Sequence, residues 1–108
     1  MLSYLNKKGK EVKLLATRHS YSRFINRYNI LYPENKIEPK QVIDYFNDTF
    51  SRTQRVKNIN KQEKLRLKRC GKDTMFFRTS GFTFIVENAK IVTVEISDRN
   101  KRFMNKIA

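Results

Sequence analysis

The sequence predicts an α+β fold, with two N-terminal helices packed on a twisted, mainly antiparallel sheet of four to five strands. Three features carry that expectation. Between residues 17 and 56, apolar side chains recur at the i, i+3, i+4, i+7 spacing of a helix with one buried stripe. From Lys64 onward the period shortens to two, as in half-buried strands. Turn-forming pairs such as Ser80-Gly81 then punctuate this second region at hairpin intervals.

Residues 1–10 are polar and basic, and are expected to fray or to form a short leading strand. Glu11-Val-Lys-Leu-Leu-Ala-Thr17 reads as a first strand, with Thr17 as the N-cap of the helix that follows. Tyr21, Phe24, Ile25 and Tyr28 give that helix its apolar stripe. It ends at Tyr28 or Leu31, because Tyr32, ahead of Pro33, resists the helical region. Pro39 suits the first turn of a second helix, with Val42, Ile43, Phe46 and Phe50 as its stripe and an end between Arg52 and Val56. Asn58 to Gln62 is a polar connection. Lys64-Leu-Arg-Leu-Lys-Arg69 reads as a basic strand. Turns at Cys70–Asp73, Ser80-Gly81 and Asn88-Ala89 then set off strands at Thr74–Thr79, Phe82–Glu87 and Lys90–Ile96. Phe76, Phe77, Phe82 and Phe84 read mostly as core rather than as base-stacking platforms, and Tyr32 as the exposed aromatic. The 108 residues form one domain, with flexible basic ends at 1–10 and 99–108.

Charge is the strongest global signal. Twenty-four Lys and Arg against ten Asp and Glu give a formal net charge of +14, the footprint of a nucleic-acid binder. The excess is uneven: residues 55–108 carry fourteen basic and five acidic side chains, against ten and five in residues 1–54. A single cysteine, Cys70, rules out an internal disulfide and a thiol zinc cluster, which favours a reducing, cytoplasmic setting. The N-terminus lacks the apolar run of a signal peptide, and no stretch approaches the ~18 apolar residues of a membrane span. Expected partners are therefore RNA or the ribosome, with no membrane and no cofactor.

Candidate chemistry begins at the one histidine. His19, Arg23 and Arg27 fall at i, i+4, i+8, opposite the apolar stripe of the first helix. An imidazole beside guanidinium groups suits both holding a phosphate and moving a proton near it; the alternative is an ordinary solvated face. On the basic strand, Lys64, Arg66 and Lys68 would share one face at about 6.6 Å, close to the spacing of phosphates on an extended strand. The competing explanation is an edge strand protected by lysines. Thr93 and Glu95 share a face of the last strand, either as phosphate and proton contacts or as its wet side. Arg18, Arg69, Arg78, Arg99 and Arg102 extend the basic surface, with Lys101. One His excludes a paired-imidazole ribonuclease, and no phosphate-binding glycine loop or carboxylate cluster points to a nucleotide or two-metal site. The chemistry that suits these residues is metal-free attack of an RNA 2′-hydroxyl on its neighbouring phosphate. His19 would be the base or acid, with Arg23, Arg66, Lys68 or Arg78 stabilising the pentacovalent phosphate by roughly 2.7–4 kcal/mol per donor.

Arg18-His19 opens an Arg23/Arg27 helix, and a second helix follows. Phe82-Thr-Phe-Ile-Val-Glu87 and Ile91-Val-Thr-Val-Glu-Ile96 then form terminal strands. Together these resemble small toxins of the RelE/ParE superfamily and BrnT-like proteins, over Val12 to Ser97. The resemblance implies a compact sheet with two N-terminal helices, and an endoribonuclease or ribosome-dependent toxin neutralised by a partner such as an acidic antitoxin. ParE-like members act on a topoisomerase instead, so the fold alone does not settle the target. Carried over, the implied site is His19 and Arg23 on the helix, Arg66 and Lys68 on the basic strand, and Thr93 on the last strand. Two rivals need no catalysis: a nucleic-acid- or ribosome-binding module, and a phage- or plasmid-type effector that inhibits an acidic host protein.

Overall fold

The computed structural model describes residues 2–71, 73–79 and 81–97. The expected contacts of Arg99, Lys101 and Arg102 lie outside those residues. The chain begins with a small hairpin, β1 (Ser3–Leu5) against β2 (Glu11–Lys13). Asn6 closes its loop by accepting the backbone N–H groups of Lys8 and Lys10 on Oδ1 at 2.9 and 3.0 Å. The leading segment is thus a paired strand, and the Glu11–Thr17 strand is split by the buried Leu14 into β2 and β3 (Leu15–Ala16).

Helix α1 (Arg18–Leu31) starts where its N-cap predicts, with the Thr17 hydroxyl accepting the Ser20 N–H at 3.1 Å. It stops at Tyr32, ahead of Pro33. A single 3₁₀ turn at Pro39–Gln41 leads into α2 (Val42–Ser51), followed by β4 (Gln54–Arg55). The linker between the helices is held by Asn29, whose side-chain amide donates to Ile37 O at 3.1 Å and accepts Ile37 N–H at 2.8 Å.

Strands β5 (Thr74–Arg78), β6 (Phe82–Glu87) and β7 (Lys90–Ile96) form an antiparallel meander. Asn88 and Ala89, with φ of 52° and 61°, make the primed two-residue turn that matches strand twist. The five-stranded sheet has the order β3-β7-β6-β5-β4, with β3 parallel to β7 and the other neighbours antiparallel. The fold is therefore α+β, as expected, with a third helix that the sequence reading lacks.

That helix is α3 (Lys61–Cys70), and it corrects the basic strand expected at Lys64–Arg69. Asn60 caps it by accepting Glu63 N–H at 2.8 Å, and Glu63 returns the bond from Asn60 N–H at 2.9 Å. Lys68 and Arg69 lie in its last turn, where cations suit the helix dipole, and Gly71 ends it at φ 101°. Lys, Leu, Arg, Gln and Glu are all strong helix formers, whereas a strand favours the β-branched residues missing here. Two turns of leucine alternation are too short to outweigh that.

The core lies between α1, α2 and one face of the sheet. Phe24, Phe46 and Phe84 are fully buried. The Phe24 ring sits 5.3 Å from Phe46 and 5.2 Å from Phe82, while Phe46 meets Phe84 edge-on at 5.2 Å. Phe50 joins Phe77 and Phe84 at 5.3 Å each. Such pairs add about 0.5–1.5 kcal/mol each beyond area burial. Ile43 departs from its expected place in the α2 stripe: it is 54% exposed, while Val42, Phe46, Thr49 and Phe50 face the sheet. Phe76 is buried too, but on the opposite face, beneath α3. Phe24→Ala should therefore cost about 3–5 kcal/mol in urea unfolding, and Ile43→Ala less than about 0.5 kcal/mol. A large loss at Ile43 would place it in the core after all.

Candidate functional site

The docking of α1 determines which of its side chains remain outside. Thr17 donates its backbone N–H to Ile91 O at 3.1 Å and its hydroxyl to the same oxygen at 3.0 Å, so α1 starts against the beginning of β7. Ser20 and Phe24 then point inward, and His19 and Arg23 remain exposed. Arg23 Nε donates to His19 Nε2 at 3.2 Å. That bond needs the Nε2 lone pair, so it belongs to the neutral ring with its proton on Nδ1. Arg27, one turn further on, is half-buried. Burial lowers the pKa of its guanidinium, the like charge of Arg23 lowers it further, and Glu95 opposes both. Helix α1 thus runs alongside β7 from Ile91 towards Glu95. His19, Arg23 and Arg27 are spaced about 6 Å apart along its axis.

A second basic cluster forms on the other face of the sheet, between α3 and β5–β7. Arg66 and Arg69 from α3 and Arg78 from β5 line a cleft of about 120 Å³ with Glu63, Thr83 and Glu95. Arg78 is oriented from two sides: its guanidinium pairs with the buried Glu63 carboxylate, and its Nε donates to Thr83 Oγ1 at 3.1 Å. The Nε of Arg66 is buried and has no hydrogen-bond partner among the described residues.

The expected row of Lys64, Arg66 and Lys68 does not exist. On a helix, Arg66 lies about 200° round from Lys64, so Lys64 and Lys68 face outward and Arg66 turns to the sheet. Thr93 is 8% exposed and pairs in register with Ile85, so it does not present a hydroxyl to solvent. The register slips between Ile85 and Val86, leaving Val92 as an extra residue in β7. Thr93 and Glu95 consequently lie on the face that α3 covers rather than on a wet one. His19 and Arg23 come together, as do Arg66, Arg69 and Arg78, but α1 and α3 lie on opposite faces of the sheet. Glu95 links the two groups, acting on Arg27 and lining the cleft. Arg18 is exposed at the start of α1. Glu63 and Thr83, which orient Arg78, were not expected; the Asn60-x-x-Glu63 capping pattern was the signal for the first. Among the described residues, no group of His, Cys, Asp and Glu is arranged to hold a metal ion, and no helix is long and apolar enough to cross a membrane.

No protein-family model matches this chain, and no curated protein or solved structure does either. Removing Glu63 would leave Arg78 facing a cleft of like charge. Glu63→Ala should cost about 3 kcal/mol in denaturant unfolding, while Lys64→Ala on the outer face should change stability by less than about 0.5 kcal/mol. Equal, small effects would show that the pair contributes nothing to holding α3 on the sheet.

Proposed function

We propose that this chain is a small RNA-targeting protein of toxin type that engages the phosphodiester backbone along α1 and cleaves it without metal. The observation that carries this reading is the Arg23 Nε to His19 Nε2 hydrogen bond at 3.2 Å, which holds an imidazole beside a guanidinium on an exposed face. In the proposed step, the RNA 2′-hydroxyl displaces Arg23 from Nε2. His19 takes its proton as the 2′-oxygen attacks phosphorus, and the bond to the 5′-oxygen breaks. The leaving oxygen takes a proton from water and a 2′,3′-cyclic phosphate remains. Arg23, freed to face the phosphate, stabilises its developing charge, and Arg27 holds the next phosphate along the strand. On this reading, an acidic partner that covered the α1 face would act as an antitoxin.

With EDTA present, substoichiometric protein should turn RNA into fragments bearing cyclic phosphate ends, and His19→Ala should slow this by about 100-fold or more while its circular dichroism is kept. Equal cleavage by that variant would remove His19 from the chemistry.

One observation favours a second, non-catalytic reading. Glu95, the carboxylate next to the α1 track, acts on Arg27, and about 12 Å of helix separates Arg27 from His19. Glu95 therefore stands too far along the helix to give the leaving group a proton while His19 takes one from the 2′-hydroxyl. A binding module would bind RNA without turnover. Removing Arg23 or Arg27 would then make the slope of log K against log salt shallower by about one unit each.

A further inference from the structure

We propose that the cleft between α3 and the sheet is a receptor for a terminal phosphate monoester, distinct from the α1 track and independent of its reading as an RNA site. A guanidinium N–H buried without an acceptor is costly, and the Nε of Arg66 has no partner among the described residues, while the Arg66 side chain lines the cleft. Arg69 and Arg78 line the same space. Arg78 is already oriented by Glu63 and Thr83, so it needs no reordering when a ligand arrives. The Glu63 carboxylate is occupied by Arg78 and by the Asn60 N–H, and with Glu95 in the same lining the cleft sets three guanidiniums against two carboxylates.

Size and charge then select the ligand. A volume of about 120 Å³, below the ~300–1,000 Å³ of small-molecule pockets, suits one phosphoryl group rather than a whole nucleotide. Buried Phe76 and Ile85 form the apolar part of the cleft wall. A phosphate monoester brings two charges and three terminal oxygens to three forked donors. A diester within a chain brings one charge and two oxygens, and must lead both ends out of the same small space. The group is therefore a chain end or a small phosphorylated molecule.

The test is calorimetric titration of the full chain with inorganic phosphate, with a nucleoside 5′-monophosphate, and with two short oligoribonucleotides identical save for a 5′-phosphate or a 5′-hydroxyl. The phosphorylated oligonucleotide should bind about tenfold more tightly or better. Arg66→Gln should erase that difference, whereas Arg23→Gln on α1 should weaken both oligonucleotides alike. Discrimination between the oligonucleotides alone makes RNA ends the source. Binding of phosphate or the mononucleotide that Arg66→Gln abolishes makes small molecules a source. Where Arg66→Gln does not fold, Arg69→Gln, which alters an exposed side chain, replaces it with the same expectation. The proposal is overturned if the parent binds neither phosphate nor mononucleotide and does not distinguish the oligonucleotides. It is overturned equally if the difference survives in a folded variant. A parent that neither binds nor cleaves 5′-hydroxyl RNA, yet takes up inorganic phosphate, would sink the α1 reading and leave this one standing.

Discussion

Thr17 joins the first turn of α1 to β7 at one point. Its backbone N–H and its hydroxyl both donate to Ile91 O, and its oxygen receives the Ser20 N–H. The helix therefore cannot roll on the sheet without losing its cap. With that rotation set, Phe24 enters the nest of Phe46, Phe82 and Phe84, and Tyr21 and Tyr28 meet rings of α2. The same rotation turns His19 and Arg23 outward as a pair. Core and candidate site are two sides of one constraint, so neither face of α1 can be altered in register without the other.

A net charge of +14 on 108 residues works against compactness, since like charges repel in the folded state. Surface pairs relieve little of this: Lys40 with Glu38 at 3.4 Å and Arg52 with Asp48 at 2.9 Å are well exposed, and such pairs are worth about 0–1 kcal/mol. The pair that organises structure is Arg78 with Glu63, which ties α3 to the sheet. Two further groups of cations, Arg23 with Arg27 and Arg66 with Arg69 and Arg78, lie on the two faces of the sheet, with Glu95 acting on one and lining the cleft of the other. A polyanionic partner would relieve that repulsion in both places.

The segment Lys64–Arg69 shows how local patterns mislead. Alternating basic and apolar residues read as a strand, yet two leucines give the alternation only two repeats. The helical signals were present as well: a capping pair at Asn60 and Glu63, strong helix formers throughout, and Gly71 as a stop. They lie partly in a stretch that reads as a polar connection, so the alternation stands apart from the helix's start signal. The change of element redistributes the chemistry. Lys64 and Lys68 go to solvent, while Arg66 enters a cleft that no strand would have made.

Elements with local signals are legible in the chain alone. Thr17 and Pro33 bound the first helix, Pro39 opens the second, and Asn88-Ala89 sets the last hairpin, each through the conformations its backbone allows. The pairing of His19 with Arg23 is legible there too, because four residues on a helix bring side chains together whatever lies beneath. Tertiary structure decided the rest. An extra residue at Val92 shifts the register beside Thr93, which is buried, and neither fact is visible in a strand read alone. The meeting of Arg66 with Arg78, and the place of Glu95 between two basic clusters, depend on which strands are neighbours. Strand order is chosen by long-range burial of the aromatic core, and local propensity carries no record of it.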